Sequence, residues 1–229
     1  MQYENVVKGQ FLSRPNRFIA HVEVDGREVV AHVKNTGRCK ELLIPGRTVY
    51  LQDWGADFAM RRKTRYDLIA VEKGSLLVNM DSQAPNHVFR EWAQSGAFVP
   101  ELSFLRGEYT WGNSRFDFYW EAGSRRGLTE VKGVTLEFDG HAKFPDAPTL
   151  RGVKHLDELI AAHEQGYEAA VCFVIQMDGM RLFSPNDETH PQFGKALRRA
   201  ADSGVKVMAI ECHVTPDSLE MKKEIPIEF

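Results

Sequence analysis

The stretch SRFDFYWEAGSRRGLTEVKGVTL, residues 114–136, decides how the second half of this chain folds. Aromatic and β-branched residues run up to the turn-rich segment EAGSRRG and resume after it, which predicts a β-hairpin. Three charges lie inside it: Asp117, Glu130 and Lys132. Glu130 and Lys132 are two apart, so in a strand they share a face while Val131 points into the opposite layer. Asp117 belongs to the preceding strand, with Phe116 and Phe118 expected together on its other side. Pairing around the turn would bring two carboxylates and an ammonium to one point. Paired carboxylates favour a hard divalent cation, because like charges held together otherwise repel or take up a proton. Asp117, Glu130 and the Val131 carbonyl are therefore expected to hold Mg²⁺ or Mn²⁺. Such an ion polarises phosphorus and lowers the pKa of bound water, and Lys132 would orient that water or stabilise charge on phosphorus. This is the logic of phosphodiester hydrolysis.

Outward from the hairpin, helices and strands alternate. PNHVFREWAQSGAF predicts a helix with Asn86 as its N-cap and Gly96 just past its end. TLRGVKHLDELIAAHEQG predicts a helix capped by Thr149 and ended by Gly166. YEAAVCFVIQM reads as a buried strand, HPQFGKALRRAADSG as a helix and VKVMAIECHV as a strand. The pattern predicts an α/β unit with a partly parallel sheet. In FPDAPTLRGVKHLDEL, Arg151, Lys154 and His155 fall within one helical turn behind Asp146 and Thr149, and they are candidates to clamp a phosphate or support the carboxylates.

Before residue 85 the pattern is different. RFIAHVEVDG, EVVAHVKNTG, RTVYLQDWG, YDLIAVEKG and SLLVNM read as five short strands, with Asp25-Gly26 as a hairpin turn and one helical turn in CKELLIPG. Five strands at this spacing predict a small OB-like barrel. The boundary is expected at DSQAP, giving a barrel over 1–82 and an α/β domain over 83–229.

The motifs resemble a known family along almost the whole chain. The D-x12-E-x-K arrangement is similar to the PD-(D/E)xK nuclease superfamily. NRFIAHVEVDG, VKNTGRCKELLIPG, RRKTRYDLIAVE, PNHVFREW, SRFDFYW, EVKGVTL, FPDAPTLRGVKHLDEL and FVIQ, in this order, resemble the SfsA family of sugar fermentation stimulation proteins. The resemblance implies an N-terminal OB-like domain joined to a PD-(D/E)xK-like mixed sheet flanked by helices, with DNA-binding behaviour. It places Asp117, Glu130 and Lys132 on the superfamily's core positions, and Glu91 as the acid that the preceding helix often supplies. Phe116 stands where the superfamily's proline is often found.

The chain has 229 residues, 43% hydrophobic and 27% charged, with net charge −3. The charge is unevenly spread. Residues 1–80 carry 13 Lys+Arg against 9 Asp+Glu, and residues 81–229 carry 16 against 23. Arg61, Arg62, Lys63 and Arg65 cluster in RRKTR, and Arg14, Arg17, Lys34, Arg38 and Lys40 form a second group near Phe11, Phe18 and Tyr50. Arg14, Arg17, Arg38, Lys40 and the RRKTR cations are the expected nucleic-acid contacts, Arg38 projecting from the Asn35-Thr36-Gly37 turn. Single- and double-stranded DNA are both open. Three distant cysteines, no leader pattern and no long apolar run point to a cytoplasmic protein. GxxxxGK[ST], HExxH, GxSxG and GxGxxG after a strand are all absent, which removes the residues of nucleotide-dependent enzymes, zinc proteases and serine hydrolases. A metal-dependent nuclease is the leading expectation. The alternatives are a non-catalytic DNA-binding regulator of sugar (maltose) metabolism genes and a sugar-metabolism protein acting on a small ligand.

Overall fold

A computed structural model describes residues 1–35, 37–56 and 63–229. Five strands make the N-terminal barrel: β1 (Val6–Asn16), β2 (Ile19–Val24), β3 (Arg27–Val33), β4 (Thr48–Asp53) and β5 (Tyr66–Lys73). They run in the order β3-β2-β1-β4-β5, and parallel pairing of Ala31, His32 and Val33 with Tyr66, Asp67 and Leu68 closes the ring. This is the closed five-stranded barrel of an OB domain. Small and branched residues alternate inward: Ala20, Val22 and Val24 from β2, Ala31 and Val33 from β3, Val49 and Leu51 from β4. Asp25 and Gly26 both have positive φ, as the two-residue turn between β2 and β3 requires.

The expected strand membership needs one correction. SLLVNM forms β6 (Leu76–Asn79), which adds to β5 outside the closed ring, and the fifth barrel strand is β1. Two register shifts against β2 break the alternation of β1, so it does not read as a strand. Gly9 lets it cross the barrel closely: a Cβ there would lie 2.6 Å from Val22 Cγ1.

The remaining elements are α1 (Ala84–Gln94), β7 (Leu102–Trp111), β8 (Ser114–Ala122), β9 (Arg125–Val134), β10 (Leu136–Phe138), β11 (His141–Phe144), α2 (Leu150–Glu164), β12 (Glu168–Ile175), β13 (Leu182–Pro185), α3 (Pro191–Asp202), β14 (Lys206–Thr215) and β15 (Ser218–Glu224). One mixed sheet has the order β15-β14-β12-β9-β8-β7, with β12 parallel to both β9 and β14. β10, β11 and β13 form a small second sheet. The α1 layer packs Val88 and Phe89 against Phe118, Trp120, Val131 and Cys172. The α2–α3 layer packs Leu156, Leu159 and Phe193 against Phe116, Leu128, Val171 and Phe173, and this core runs on into the barrel interior.

Buried polar groups join the two parts. Gln176 sends its side-chain amide to Asn79 O, Asn79 Oδ1 and Asp81 O at 3.0–3.1 Å. Tyr3 Oη donates to Asp81 Oδ2 at 3.2 Å, and Lys34 Nζ pairs with the same carboxylate. Lys73 on β5 pairs with Glu137 on β10. Among the described residues no helix is long and apolar enough to cross a membrane.

Candidate active site

β8 and β9 pair from Ala122↔Arg125 up to Phe118↔Thr129, and there the ladder stops. Beyond it Asp117 takes the place of a backbone partner: the Val131 amide donates to Asp117 Oδ2 at 2.8 Å. Asp117 Oδ1 accepts from Asn86 Nδ2 at 2.9 Å. The chain also changes faces at this point. Phe118 packs on the α1 layer at 5.0 Å from Phe89, whereas Phe116 packs on the α2 layer at 5.9 Å from His155. The expectation that Phe116 and Phe118 share a face is therefore wrong. Glu108, between the β7 partners of these two residues, has φ +54, a left-handed conformation inside the strand opposite Asp117.

Glu130 and Lys132 do share a face. Glu130 is 3% exposed. Its Oε1 receives both Lys132 Nζ and His155 Nδ1, and its Oε2 is buried with no partner among the described residues. Burial raises the Asp117 carboxyl above the usual carboxylate range, and the Glu130 charge adds to this against the pull of the Val131 amide, Asn86 and Lys132. Burial also works to raise Glu130, but His155 and Lys132 outweigh it and leave that carboxyl below its usual range. The two acids are thus driven apart by their surroundings, Glu130 toward the ionised form and Asp117 toward the protonated one.

α2 delivers His155. Thr149 caps the helix, as expected, with Oγ1 accepting from the Gly152 amide at 3.0 Å. His155 is buried against Glu130, and Arg151, one turn earlier, donates through Nε to His155 Nε2 at 3.3 Å. Lys154 does not join them. It points to the β7–β8 turn, bonding the Asn113 carbonyl at 2.7 Å, because it lies about 100° around the helix from His155. Asp146 is exposed and faces the Gly37 loop.

Glu91 is also elsewhere. It accepts from the Met1 amino group at 2.6 Å beside β15, far around α1 from the carboxylates. The residue that α1 supplies instead is Asn86. The helix starts three residues earlier than expected, with Gln83 at the N-cap and Pro85 in the first turn. Asn86 is therefore free to reach Asp117, and an amide at a helix start with a carboxylate in the next hairpin is the only signal the sequence offers for it.

On the barrel, Arg14, Arg17, Arg38 and Lys40 line one groove of about 490 Å³ over Leu12 and Leu43. Arg14 is not a free cation. Its two terminal nitrogens donate to the carbonyls of Arg17, Asn35, Gly37 and Arg38 at 2.7–2.9 Å. Arg65 is likewise committed, to Asp53 at 2.5 and 2.6 Å. Lys34 is paired with Asp81, Phe11 is buried in the core and Tyr50 bonds Glu72, while Phe18 is exposed. Arg17, Arg38, Lys40 and Lys63 are exposed. Arg61, Arg62 and Thr36 lie outside the described residues.

Comparison with known proteins adds the family. The family model described as the sugar fermentation stimulation protein RE domain matches residues 83–218, and the one described as the SfsA N-terminal OB domain matches residues 12–80. A "Sugar fermentation stimulation protein homolog" of Desulfitobacterium hafniense is 61% identical over 220 residues, covering 96% of this chain and 95% of that protein. One of Clostridium beijerinckii is 50% identical over 227 residues, 99% of each chain. The solved structure of Pyrococcus furiosus SfsA in complex with Ca²⁺ matches with a TM-score of 0.90 at 26% identity, covering 100% of this chain and 98% of that one.

Proposed function

The chain belongs to the SfsA family, and from that premise we propose that it is a DNA-binding protein that hydrolyses phosphodiester bonds with Mg²⁺ or Mn²⁺. One observation carries the reading: Glu130 keeps a buried, unpartnered carboxylate oxygen beside a second carboxylate that its charge disfavours. A hard divalent cation relieves both, since it takes oxygen ligands and offsets the repulsion. Asp117, Glu130 and the Val131 carbonyl are the residues that would hold it. The ion would polarise the phosphate and acidify a water. Lys132, held by Glu130, would stabilise the negative charge that builds on the phosphoryl oxygens as the water oxygen bonds to phosphorus and one bridging P–O bond breaks. By resemblance, Asp117, Glu130 and Lys132 fall on the core positions of the PD-(D/E)xK superfamily. The Pyrococcus furiosus relative was solved with Ca²⁺, a hard ion of the same class. Of the expected contacts on the barrel, Arg17, Arg38, Lys40 and Lys63 are exposed and would meet DNA phosphates.

A second reading, a non-catalytic DNA-binding regulator, has one observation in its favour. Both Asp117 oxygens already have protein donors, and among the described residues no group of three or more His, Cys, Asp or Glu could hold a metal. One experiment separates the two: cleavage of single- and double-stranded DNA with Mg²⁺, Mn²⁺ or EDTA, by the wild type, Asp117→Ala and Lys132→Ala. The nuclease reading expects metal-dependent cutting that falls on the order of 100-fold or more in each variant while DNA binding persists. Equal binding by all three with no cutting by the wild type would leave the regulator.

A further inference from the structure

We propose that Arg151 and His155 form a positioning pair that decides which oxygen of Glu130 is offered to the cation. The inference rests on the metal-dependent reading above and goes beyond it, because it assigns a task to two residues that need not touch the ion or the DNA.

The argument starts from a proton. An arginine Nε carries hydrogen and can only donate. Arg151 Nε lies 3.3 Å from His155 Nε2, so that ring nitrogen accepts, and the ring proton sits on Nδ1. Nδ1 in turn meets Glu130 Oε1. Arg151 therefore selects the His155 tautomer that donates to Glu130. Lys132 Nζ reaches the same oxygen, so Oε1 has two donors while Oε2 has none. The carboxylate is rotated and held with one oxygen saturated by protein and one kept for something else.

The pair is itself fixed. Thr149 caps the first turn of α2, and Gly152 lets that turn sit against Phe193, where a Cβ would come within 3.1 Å of Cε2. The Phe116 ring packs on the imidazole at 5.9 Å. His155 is 4% exposed, so no water competes for its ring nitrogens at the surface. Residues that hydrogen-bond a metal-ligating carboxylate orient it, and removing them typically weakens metal affinity by about 10–100-fold.

The test is a titration of the metal-free protein with Mn²⁺ alone, followed by calorimetry, for the wild type, His155→Gln, His155→Asn, Arg151→Met and Glu130→Gln. An asparagine amide takes the place of Nδ1–H, whereas a glutamine amide takes the place of Nε2. His155→Gln is expected to weaken Mn²⁺ binding about 10–100-fold, and His155→Asn is expected to recover most of that loss. Arg151 is exposed, so Arg151→Met keeps the fold and decides the matter if the histidine variants do not; it is expected to weaken binding about threefold or more. Wild-type affinity in His155→Gln and Arg151→Met, with binding lost in Glu130→Gln, would overturn the positioning pair and leave the metal site standing. Equal losses in His155→Asn and His155→Gln would overturn the hydrogen-bond account in favour of ring packing. No Mn²⁺ binding by the wild type would overturn both this inference and the function it rests on.

Discussion

A Cβ on Gly127 would lie 2.2 Å from Trp120 Cζ2 and 2.5 Å from the Glu168 carbonyl oxygen. Neither neighbour can retreat. Trp120 Nε1 donates to Thr129 Oγ1 at 3.2 Å, and the Phe98 ring meets the indole edge-on at 5.5 Å. The Glu168 carbonyl belongs to the β9–β12 ladder, where Glu168 pairs with Gly127. Gly127→Ala is therefore an overpacking change in a site with no slack, and about 3 kcal/mol of lost stability is expected. For a chain of this size that lowers the thermal midpoint by roughly 6–12 °C. A thermal melt of the purified variant checks it, and a shift under about 2 °C would mean that Trp120 has another place to go. This glycine is legible in the sequence only as part of a turn, EAGSRRG. Its tight contact comes from Trp120, seven residues back, and from β12, about 40 residues on. Asn86 is opaque for the same reason, since its partner Asp117 lies across a layer.

Helices α1, α2 and α3 and strands β2–β6, β8, β9, β12 and β14 are readable, because alternation, caps and terminal glycines are local properties, whereas β1, β7, β10, β11, β13 and β15 drew no expectation. Thr149 caps α2, and Gly96 and Gly166 follow helix ends with positive φ. What failed were readings that needed the elements to be packed. Glu91 and Asn86 share one helix, yet only the second faces the hairpin. Cations are harder still, because an arginine bound to carbonyls and one open to solvent look alike in a sequence. Arg14 and Arg38 line the same barrel groove and are expected to behave differently. Arg14→Ala strips four loop carbonyls of their donor, which should cost about 2 kcal/mol and disorder the loop after β3. Arg17→Ala, Arg38→Ala and Lys40→Ala should each change stability by less than about 0.5 kcal/mol. Each should also lower the slope of log affinity against log salt by roughly one where the side chain meets a phosphate. Urea midpoints of the variants read the first effect, and fluorescence anisotropy with labelled DNA in the Asp117→Ala background, at several salt concentrations, reads the second. Three unchanged slopes would move the DNA off this groove.

At the scale of the whole molecule, the barrel and the mixed sheet share a continuous apolar core, and the polar pairs at their seam hold the two in one arrangement. Lys73–Glu137 is the pair whose loss should report on that seam most clearly. Glu137 is 5% exposed, and besides Lys73 its carboxylate accepts, among the described residues, only from the Gly140 amide, at 3.1 Å. Burial raises its carboxyl, but Lys73 and the Gly140 amide outweigh burial and hold it below the usual range. Its folded pKa is thus below its unfolded one. The stability it contributes is complete above the unfolded glutamate value, about 4.3, and is lost as pH falls through the depressed folded value. Lys73→Met removes the ammonium and leaves the carboxylate buried. At pH 7 this should cost about 2 kcal/mol, less than a fully buried pair would, because Lys73 is 25% exposed. With the ammonium gone, burial dominates and the folded pKa of Glu137 moves up, so the variant regains ground as acid protonates the group. The gap between wild type and Lys73→Met should therefore be widest at neutral pH and shrink toward pH 4. Glu137→Met added to Lys73→Met removes the buried charge and should recover most of the loss, with no pH dependence of its own. Urea midpoints of the three proteins from pH 7 to about pH 4 measure this directly. A gap that stays constant with pH would mean that water reaches Glu137 at the seam and that the apolar core alone holds the two halves together.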